Sequence, residues 1–539
     1  MKTTVRIPEA TQEAIDSELF ATEPFKILER NYQPVTATQI TAAQSHLNPI
    51  EKQLLHKLFS KYMAVFDGKL GHYKNRTINL ELIPGATPYS QRRPYPVPFQ
   101  RRKLFLNELS AMIADGVLER VEGLSEWAFP TFIIPKKDGR VRWVTDFREL
   151  NKLLVRKSYP IPKIQDIMNG RSNYRYFTKI DLSMMFYCFM LDKPSQRLCV
   201  ITTEFGTYRY LRLPMGVKVS PDVAQNIMEE VLDGINCSIY MDDVGIWTDG
   251  SFQEHLSIIE QVLQRFAAHD LICNPLKCSW AVKETDFLGY WMTPTGIKPW
   301  KKRIEAILKL GEPKNNTDVR AFIGAVNHYK SLWPRCVYVL APLSELTGRG
   351  KFNWTTRHQT SFNAMKAILC ADALNAYPDY SKPFHLYTDA SDFQLGAAII
   401  QELNGIPTPI AYYSKKLDKA QSNYTTTEKE LLAIVMVLKT YSKMLSGAKI
   451  IIYTDHKNLT FQTFSIQRVL RWRLYIDEYD TLLTYIQGKK NVLADCFSRL
   501  PLMEKPTAGD KERQGTGGTL IDFKKIELPK DSEEILDGK

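Results

Sequence analysis

Two adjacent aspartates between short apolar segments constrain the fold of this chain more than any other feature. Residues 238–241 and 244–247 are β-rich, and Asp242 and Asp243 occupy the predicted turn between them. Aspartate is common in turns because its carboxylate bonds the local backbone, but tight hairpins favour Asn-Gly or Asp-Gly. Two neighbouring anions are costly without a cation, and Mg²⁺ prefers carboxylate and phosphate oxygens. The pair predicts either ordinary turn chemistry or a metal site.

Two further segments carry polar groups beside predicted strands. Asp181 follows the strand-like residues 177–180, where it serves either as a helix N-cap or as a third metal carboxylate. Residues 131–134 and 141–144 flank a Lys-Lys-Asp-Gly-Arg turn, which predicts a hairpin with a basic tip.

Charge and cysteine usage narrow the class of protein. The 539 residues hold 71 Lys and Arg against 59 Asp and Glu, a net charge of +12, which fits a polyanionic partner or simply a basic surface. Residues 501–539 contain seven Lys or Arg and nine Asp or Glu, so the other residues carry +14. The eight cysteines show no metal-ligand spacing, and neither a secretory signal nor a membrane-length apolar run is present. We expect reduced thiols and an intracellular protein that does not contact membranes.

Changes in composition and periodicity along the chain predict an α+β architecture of several regions. Residues 1–65 are predicted to be a partly disordered linker, although residues 54–59 show helical spacing. Residues 66–300 mix strands and helices, and residues 301–370 are mainly helical. A short connection (371–383) leads to a compact α/β module (384–500). The polar residues 501–539 are predicted to be disordered.

Three blocks of sequence, in order, resemble the reverse transcriptase family. Tyr-Met-Asp-Asp at residues 240–243 is similar to the family's YxDD box, and residues 144–151 and 213–221 resemble two further blocks. The resemblance is closest to the reverse transcriptase and ribonuclease H of gypsy-like long-terminal-repeat retrotransposons, and it covers roughly residues 66–500. It implies a right-hand polymerase with fingers, palm and thumb, followed by a ribonuclease H-like α/β domain.

The resemblance also implies roles for individual residues of the polymerase. Asp181, Asp242 and Asp243 match the carboxylates that bind two Mg²⁺ ions, with Mn²⁺ as an alternative. A bulky ring at the steric-gate position collides with a ribonucleotide 2′-OH; Phe186 falls there and Tyr187 is the neighbouring candidate. The residues matching contacts to the incoming nucleotide are Lys136, Arg142, Phe186, Met215 and Met241.

Four acidic residues of the carboxy-terminal module resemble the metal-binding quartet of ribonuclease H. They are Asp389, Glu430, Asp455 and Asp495. Individually, each also fits a turn or a helix cap. Glu428 competes with Glu430 for the second position, but we expect its charge to face solvent. No histidine lies between His456 and Asp495, where many ribonucleases H place one.

The expected function is therefore an RNA-directed and DNA-directed DNA polymerase with ribonuclease H activity. Its partners would be an RNA template, a DNA primer, RNA·DNA hybrids and dNTPs, in a cytoplasmic particle or the nucleus. The alternatives are an inactive nucleic-acid-binding relic and an RNA polymerase with a similar palm. No Asp-Thr-Gly or Asp-Ser-Gly of an aspartic protease and no zinc-binding integrase module are found in the sequence.

Overall fold

The computed structural model describes residues 35–91, 93–135, 141–170, 173–334, 336–348, 350–370, 373–454, 456 and 467–486, with only the backbone of residues 135, 141 and 142. The chain divides into two compact units. Residues 35–164 and 174–287 form the amino-terminal unit, and residues 165–170, 173 and the described residues from 288 onward belong to the carboxy-terminal unit. None of the described helices has the length and apolar character needed to cross a bilayer.

Strands and helices alternate irregularly along the described residues. The strands are β1 (Tyr73–Ile78), β2 (Leu118–Arg120), β3 (Phe129–Pro135), β4 (Val141–Thr145), β5 (Tyr176–Asp181), β6 (Phe189–Leu191), β7 (Val200–Thr203), β8 (Gly206–Tyr210), β9 (Ser238–Tyr240), β10 (Asp243–Thr248), β11 (Ser279–Val282), β12 (Thr285–Phe287), β13 (Tyr290–Thr293), β14 (Gly296–Pro299), β15 (Asn375–Ala376), β16 (Phe384–Ala390), β17 (Gln394–Leu403), β18 (Ile406–Lys416), β19 (Ile450–Thr454) and β20 (Thr481–Tyr485).

The helices are α1 (Ala37–Ala42), α2 (Pro49–Lys61), α3 (Arg102–Ala114), α4 (Arg148–Leu153), α5 (Ile164–Asn169), α6 (Lys193–Leu198), α7 (Ser220–Val231), α8 (Phe252–Ala268), α9 (Lys301–Leu308), α10 (Asn316–Asn327), α11 (Cys336–Glu345), α12 (Thr356–Cys370), α13 (Thr426–Thr440), α14 (Ser442–Leu445) and α15 (Gln467–Asp477). Short 3₁₀ turns lie at Met63–Phe66, Phe99–Arg101, Met185–Cys188 and Gln421–Asn423.

Two sheets organise the amino-terminal unit. One is antiparallel, in the order β11-β5-β10-β9. The other is mixed, in the order β2-β8-β7-β3-β4, with β3 parallel to β7. Helix α8 packs on β5 and β10, and α7 packs on β9. Because the apolar faces of both sheets contribute to one continuous core, the strand ends that carry the aspartates have a rigid support.

The predicted linker at residues 1–65 is wrong for its second half. Helices α1 and α2 and the turn Met63–Phe66 occupy residues 37–66. Helix α2 begins with a capping box between Asn48 and Glu51. Phe59 is fully buried, with its ring centroid 4.7 Å from that of Trp280. The few apolar residues of this segment are therefore core residues, which its polar composition concealed. Residues 1–34 and 501–539 lie outside the described residues.

A five-stranded sheet organises much of the carboxy-terminal unit. Its order is β18-β17-β16-β19-β20, with β18, β17 and β16 antiparallel and β16, β19 and β20 parallel. Helix α13 packs on β16 and β17, and α15 packs on α13. Residues 301–370 contain α9 to α12, and β15 joins β14 within the predicted connection. The order of the sheet places the ends of β16 and β19 side by side.

Candidate active sites

The predicted polymerase aspartates lie at one end of the antiparallel sheet. Asp243 on β10 is directly opposite Asp181 on β5. Both are buried, at 4% and 5% exposure, and Asp242 is only partly exposed. The backbone N–H of Leu182 donates to the carbonyl of Asp242 over 3.1 Å. Directly opposite residues of an antiparallel pair share a face of the sheet, so the structure brings the predicted carboxylates of Asp181 and Asp243 together, with Asp242 in the adjoining turn.

The turn of this hairpin differs from the prediction by one residue. Strand β9 ends at Tyr240 and β10 begins at Asp243, so Met241 and Asp242 form the turn. Met241 has a φ of 51°, a left-handed conformation that is unfavourable for a residue with a side chain. This geometry makes Asp243 a strand residue that faces Asp181. The unusual backbone at Met241 requires support from neighbouring residues.

Gln225 on α7 supplies that support, and sequence reasoning missed it. Its side chain is fully buried. The amide oxygen accepts from the backbone N–H of Met241 at 2.7 Å, and the amide nitrogen donates to the carbonyl of Ile239 at 3.1 Å. Glutamine combines a donor and an acceptor in one side chain, so it can clamp both sides of the turn. Gln225 lies four residues beyond the block at residues 213–221, so no sequence block pointed to it.

A cysteine thiol supports the backbone of Asp181. The N–H of Asp181 donates to the sulfur of Cys278 at 3.4 Å, and the thiol of Cys278 donates to the carbonyl of Asn274 at 3.1 Å. Burial raises the pKa of Cys278 to about 12. Because the thiolate is the metal-binding form, Cys278 supports the backbone of Asp181 as a neutral thiol. The side chains of this site that offer donors to a metal ion are therefore the carboxylates of the aspartates rather than this thiol.

The Asp181–Asp243 pair fits a divalent cation. Two like charges opposed across a strand pair are destabilising by themselves. In the part of the chain that the structure describes, no three His, Cys, Asp or Glu side chains come together as a metal-binding group. Mg²⁺ does not need such a cage, because it is held by one or two carboxylates together with water and substrate phosphates. The donor set present here is of that kind.

The predicted nucleotide-binding hairpin is only partly described. Arg142 lies on β4, paired with Ile134 on β3, whereas Lys136 and the side chain of Arg142 lie outside the described atoms. Just beyond β4, the Arg148 guanidinium donates two hydrogen bonds to Asp146, at 3.0 and 2.9 Å, and its backbone N–H donates a third at 3.2 Å. Burial acts to raise the pKa of Asp146, but the hydrogen bonds from Arg148 hold it below its usual value. The strand thus leads into a fixed charged pair.

Asn151 connects two of the sequence blocks in space. Its side chain donates to the carbonyl of Gly216 at 2.8 Å and accepts from the N–H of Lys218 at 2.8 Å. Gly216 has a φ of 88°, which favours glycine. The loop that carries the partly buried Met215 is therefore fastened to α4. The sequence showed the blocks at residues 144–151 and 213–221, but it did not show that Asn151 of the first forms hydrogen bonds with the backbone of the second.

The structure distinguishes the two candidate gate residues. Both lie in the turn Met185–Cys188. Tyr187 is 4% exposed and its ring stacks on that of Tyr210 at 6.3 Å. Phe186 is partly exposed. Of the two rings, only that of Phe186 is accessible at the surface of the turn.

Two members of the predicted nuclease quartet are described, and they are neighbours. Asp389 lies near the end of β16, opposite Gly396 on β17. Glu430, in the first turns of α13, is 3% exposed, and its Oε1 accepts from the N–H of Ala390 at 2.9 Å. The helix therefore places a buried carboxylate beside the strand end that carries Asp389. Asp455 and Asp495 lie outside the described residues.

The expectation that Glu428 faces solvent is wrong. Its side chain is 5% exposed, forms an ion pair with Arg468, and accepts from the N–H of Thr425 at 2.9 Å in a capping box. The hydrogen bond from Arg468 is the main reason that the pKa of Glu428 is lowered. Arg468 also lies over the ring of Tyr424, 4.0 Å from its centroid. Glu428 thus joins the start of α13 to α15, whereas Glu430 contacts the end of β16.

Family comparisons define the class of both units. Residues 134–292 match the model of reverse transcriptase (RNA-dependent DNA polymerase). Residues 379–479 match that of the RNase H-like domain found in reverse transcriptase. The chain therefore contains a reverse transcriptase domain followed by an RNase H-like domain, two domain types that generally depend on divalent metals.

The relatives with this domain pair are polyproteins of retrotransposons. The chain is 31% identical over 477 residues to the retrovirus-related Pol polyprotein from transposon opus of Drosophila melanogaster, covering 84% of this chain and 47% of the relative. It is 32% identical to that from transposon 297 of the same fly, over 85% of this chain and 44% of the relative. The transposon Tf2-7 polyprotein of Schizosaccharomyces pombe is 29% identical, and the match covers 78% of this chain and 32% of the relative. The chain thus spans less than half of the length of these relatives.

Solved structures agree on the fold. A foamy viral protease-reverse transcriptase in complex with double-stranded DNA has a TM-score of 0.74 at 22% identity, covering 86% of this chain and 84% of that chain. A foamy viral protease-reverse transcriptase in complex with an RNA/DNA hybrid has a TM-score of 0.73 at 21% identity, and the match covers 94% of this chain and 67% of that chain. The predicted α+β polymerase fold with an RNase H-like domain, and the resemblance to retrotransposon reverse transcriptases, are confirmed.

Proposed function

We propose that this chain is an RNA-directed and DNA-directed DNA polymerase that also cleaves the RNA strand of RNA·DNA hybrids. The opposed, buried carboxylates of Asp181 and Asp243 in a reverse transcriptase domain are the observation that carries the proposal. Its substrates would be dNTPs, a DNA primer and an RNA template. Structural neighbours bound to double-stranded DNA and to an RNA/DNA hybrid support nucleic acids of these kinds.

In the polymerase site, this chain positions and neutralises the reactants rather than supplying a nucleophile. Asp181, Asp242 and Asp243 would hold two Mg²⁺ ions, or Mn²⁺, which supply Lewis-acid stabilisation of the attacking and leaving oxygens. Lys136 and Arg142 would bind the triphosphate, because ammonium and guanidinium groups donate to phosphate oxygens. Met215 and Met241 would contact the nucleotide from the two loops that Asn151 and Gln225 fix.

The ring of Phe186 would exclude ribonucleotides by contact with the 2′-OH. Its partial exposure supports this role, and the burial of Tyr187 argues against the neighbouring ring. A polymerase with such a ring selects dNTPs, which favours DNA synthesis over the alternative of an RNA polymerase. The complete set of polymerase aspartates likewise argues against an inactive relic.

In the nuclease site, Asp389 and Glu430 would act with Asp455 and Asp495. Two divalent ions held there would activate water and stabilise the leaving 3′-oxygen. Recognition of the RNA strand would depend on its 2′-hydroxyls, which DNA lacks. The contact between Glu430 and the backbone of Ala390 supports a shared site, since it places the helix carboxylate beside Asp389.

Primer extension on an RNA template with dNTPs and Mg²⁺ tests the polymerase. Asp243→Asn should lower the rate by about 100-fold or more, because an amide cannot balance divalent charge. Asp249→Asn, an exposed position just beyond β10, is the matched control and should be unaffected. Extension by Asp243→Asn at the wild-type rate would refute the assignment, and an inactive wild type would favour the relic.

Cleavage of the RNA strand in a labelled hybrid tests the nuclease. Glu430→Gln should abolish cleavage and leave primer extension intact, since Glu430 belongs to the other unit of the chain. Glu402→Gln, an exposed glutamate on β17, is the control. If Glu430→Gln cleaves normally, its carboxylate is a structural group and the nuclease assignment fails.

A further inference from the structure

Arg212, which no sequence block singled out, is a buried cation whose donors bind three backbone carbonyls. Its residue is 9% exposed. Nη1 donates to the carbonyls of Gly71 at 2.7 Å and Tyr187 at 2.8 Å, and Nε donates to that of Gly116 at 3.1 Å. A buried charge persists only when its donors are satisfied. Arg212 therefore joins three backbone segments that are far apart in sequence.

One of these segments is the turn that presents Phe186. The turn Met185–Cys188 follows Met184, whose φ of 49° is left-handed and unfavourable. The carbonyl that Arg212 binds belongs to Tyr187, the residue next to Phe186. The hydrogen bond from Arg212 therefore holds the backbone of the residue that directly follows Phe186.

The same turn is supported closely from behind by Gly71. A Cβ atom at Gly71 would lie 2.5 Å from the carbonyl oxygen of Asp270 and 3.2 Å from the sulfur of Cys188. A side chain at Gly71 would therefore clash with the Asp270 backbone and press on the Cys188 sulfur at the end of the turn. Because Arg212 binds the carbonyl of Gly71 and that of Tyr187 through one nitrogen, it fixes the distance between the turn and this support.

We propose that Arg212 is a positioning residue that holds the Phe186 turn against Gly71 and thereby sets the discrimination between dNTPs and NTPs. The inference rests on the proposed polymerase function and assigns part of its sugar specificity to a residue that does not touch the nucleotide. Steric exclusion of one hydroxyl depends on ring placement within about 0.5 Å, and such placement requires locked supporting contacts. Loss of the Arg212 hydrogen bonds lets the turn move away from the sugar.

Single-nucleotide incorporation of dCTP and CTP opposite guanine measures this role. Arg212→Met should lower the ratio of kcat/KM for dCTP to that for CTP by about tenfold or more. Arg212→Lys, which keeps a charge and donors but not the planar fork, should fall between Arg212→Met and the wild type. Arg209→Met is the control, because Arg209 lies on the neighbouring β8 and pairs with Glu119 instead; its ratio should equal that of the wild type.

The double variant Phe186→Ala/Arg212→Met tests whether Arg212 acts through the ring. If it does, the double variant should have the ratio of Phe186→Ala alone, because the effects of coupled residues do not add. Thermal melting and template–primer affinity of each variant establish that it is folded. Should Arg212→Met not fold, Arg212→Lys carries the same comparison.

Two results would overturn the inference while leaving the polymerase in place. One is an equal loss for dCTP and CTP in the Arg212 variants, which is the mark of a merely structural residue. The other is an unchanged ratio in the Arg212 variants when Phe186→Ala relaxes it. An unchanged ratio in Phe186→Ala itself would overturn both the gate and the inference, and absence of wild-type extension would refute the proposed function as a whole.

Discussion

Glu428 and Glu430 are two positions apart at the start of α13, yet their surroundings give them different tasks. Glu430 contacts the backbone beside Asp389, and Glu428 caps its own helix and pairs with Arg468. Both are buried, so burial alone does not separate them. Their hydrogen-bond partners separate them. The carboxylate of Glu428 is neutralised by the guanidinium of Arg468, which makes it a poor ligand for a metal ion, whereas Glu430 lies beside the acidic Asp389.

At this residue scale, Glu428→Gln should destabilise the fold without removing the nuclease. We expect a loss of roughly 1–2 kcal/mol, since the ion pair with Arg468 becomes a hydrogen bond from the guanidinium to an uncharged amide. Urea unfolding of the full chain measures the change, with the exposed Glu402→Gln as control. Abolished hybrid cleavage with unchanged stability would instead place Glu428, not Glu430, in the quartet.

At the scale of elements, the β9–β10 hairpin depends on α7 for the shape of its turn. Gln225→Leu removes the bonds to Met241 and Ile239 and leaves two backbone groups without their partner. We expect kcat for primer extension to fall about tenfold and stability to fall by about 1–3 kcal/mol. Template–primer affinity should stay constant. Gln264→Leu, on the exposed face of α8, provides the comparison, and a normal kcat in Gln225→Leu would show that the turn holds its shape unaided.

His255 on α8 connects the two central strands of the same sheet. Its Nε2 is 2.8 Å from Oγ1 of Thr178 on β5, and its Nδ1 is 2.8 Å from Oγ1 of Thr248 on β10. Burial lowers the pKa of His255 to about 4, from 6.5. The unfolded state therefore binds a proton more readily than the folded state between these pH values.

This element-scale difference predicts acid sensitivity of the sheet. The contribution of neutral His255 is complete above pH 6.5 and is lost as the pH falls towards 4, amounting to about 3 kcal/mol over the whole range. Urea unfolding of wild type and His255→Gln at pH 7.5 and 4.5 gives the test. The variant should be less stable at pH 7.5, and the difference should shrink at pH 4.5. A constant difference would mean that His255 does not titrate in this window.

At the scale of the whole molecule, the net charge of +12 predicts electrostatic binding of nucleic acid. Each neutralised phosphate contributes a slope of about −0.9 in log K against log salt for duplex DNA, so several contacts give a slope of several units. Fluorescence anisotropy of a labelled template–primer between about 50 and 200 mM salt measures it. A polyanion competitor serves as control. A flat response would separate the basic charge from substrate binding.

The chemistry of the sites followed from local sequence, whereas the placement of supporting groups required the tertiary structure. The Asp-Asp pair between apolar strands was readable because two adjacent anions are costly without a cation, whereas the acidic residues of the second module were picked out only by their resemblance to ribonuclease H. The one-residue shift of the hairpin turn, the helices of residues 37–66 and the burial of Glu428 were not readable. Each depends on contacts with residues that are distant in sequence, such as Gln225, Trp280 and Arg468, and the local hydrophobic periodicity does not reveal such contacts.

The sequence alone determined which carboxylates are present, and its resemblance to the reverse transcriptase family suggested the metal-dependent phosphoryl chemistry that we propose for them. Only the tertiary structure decided that Asp243 faces Asp181, that Phe186 is more exposed than Tyr187, and that Arg212 binds the backbone carbonyl of Tyr187. The reason is physical: Arg212 and Gly71 are 141 residues apart, and a buried donor selects its acceptor by proximity after packing. A local sequence pattern can indicate which residues carry the chemistry. The packing of the whole unit determines which distant backbone groups form hydrogen bonds with a buried side chain such as that of Arg212.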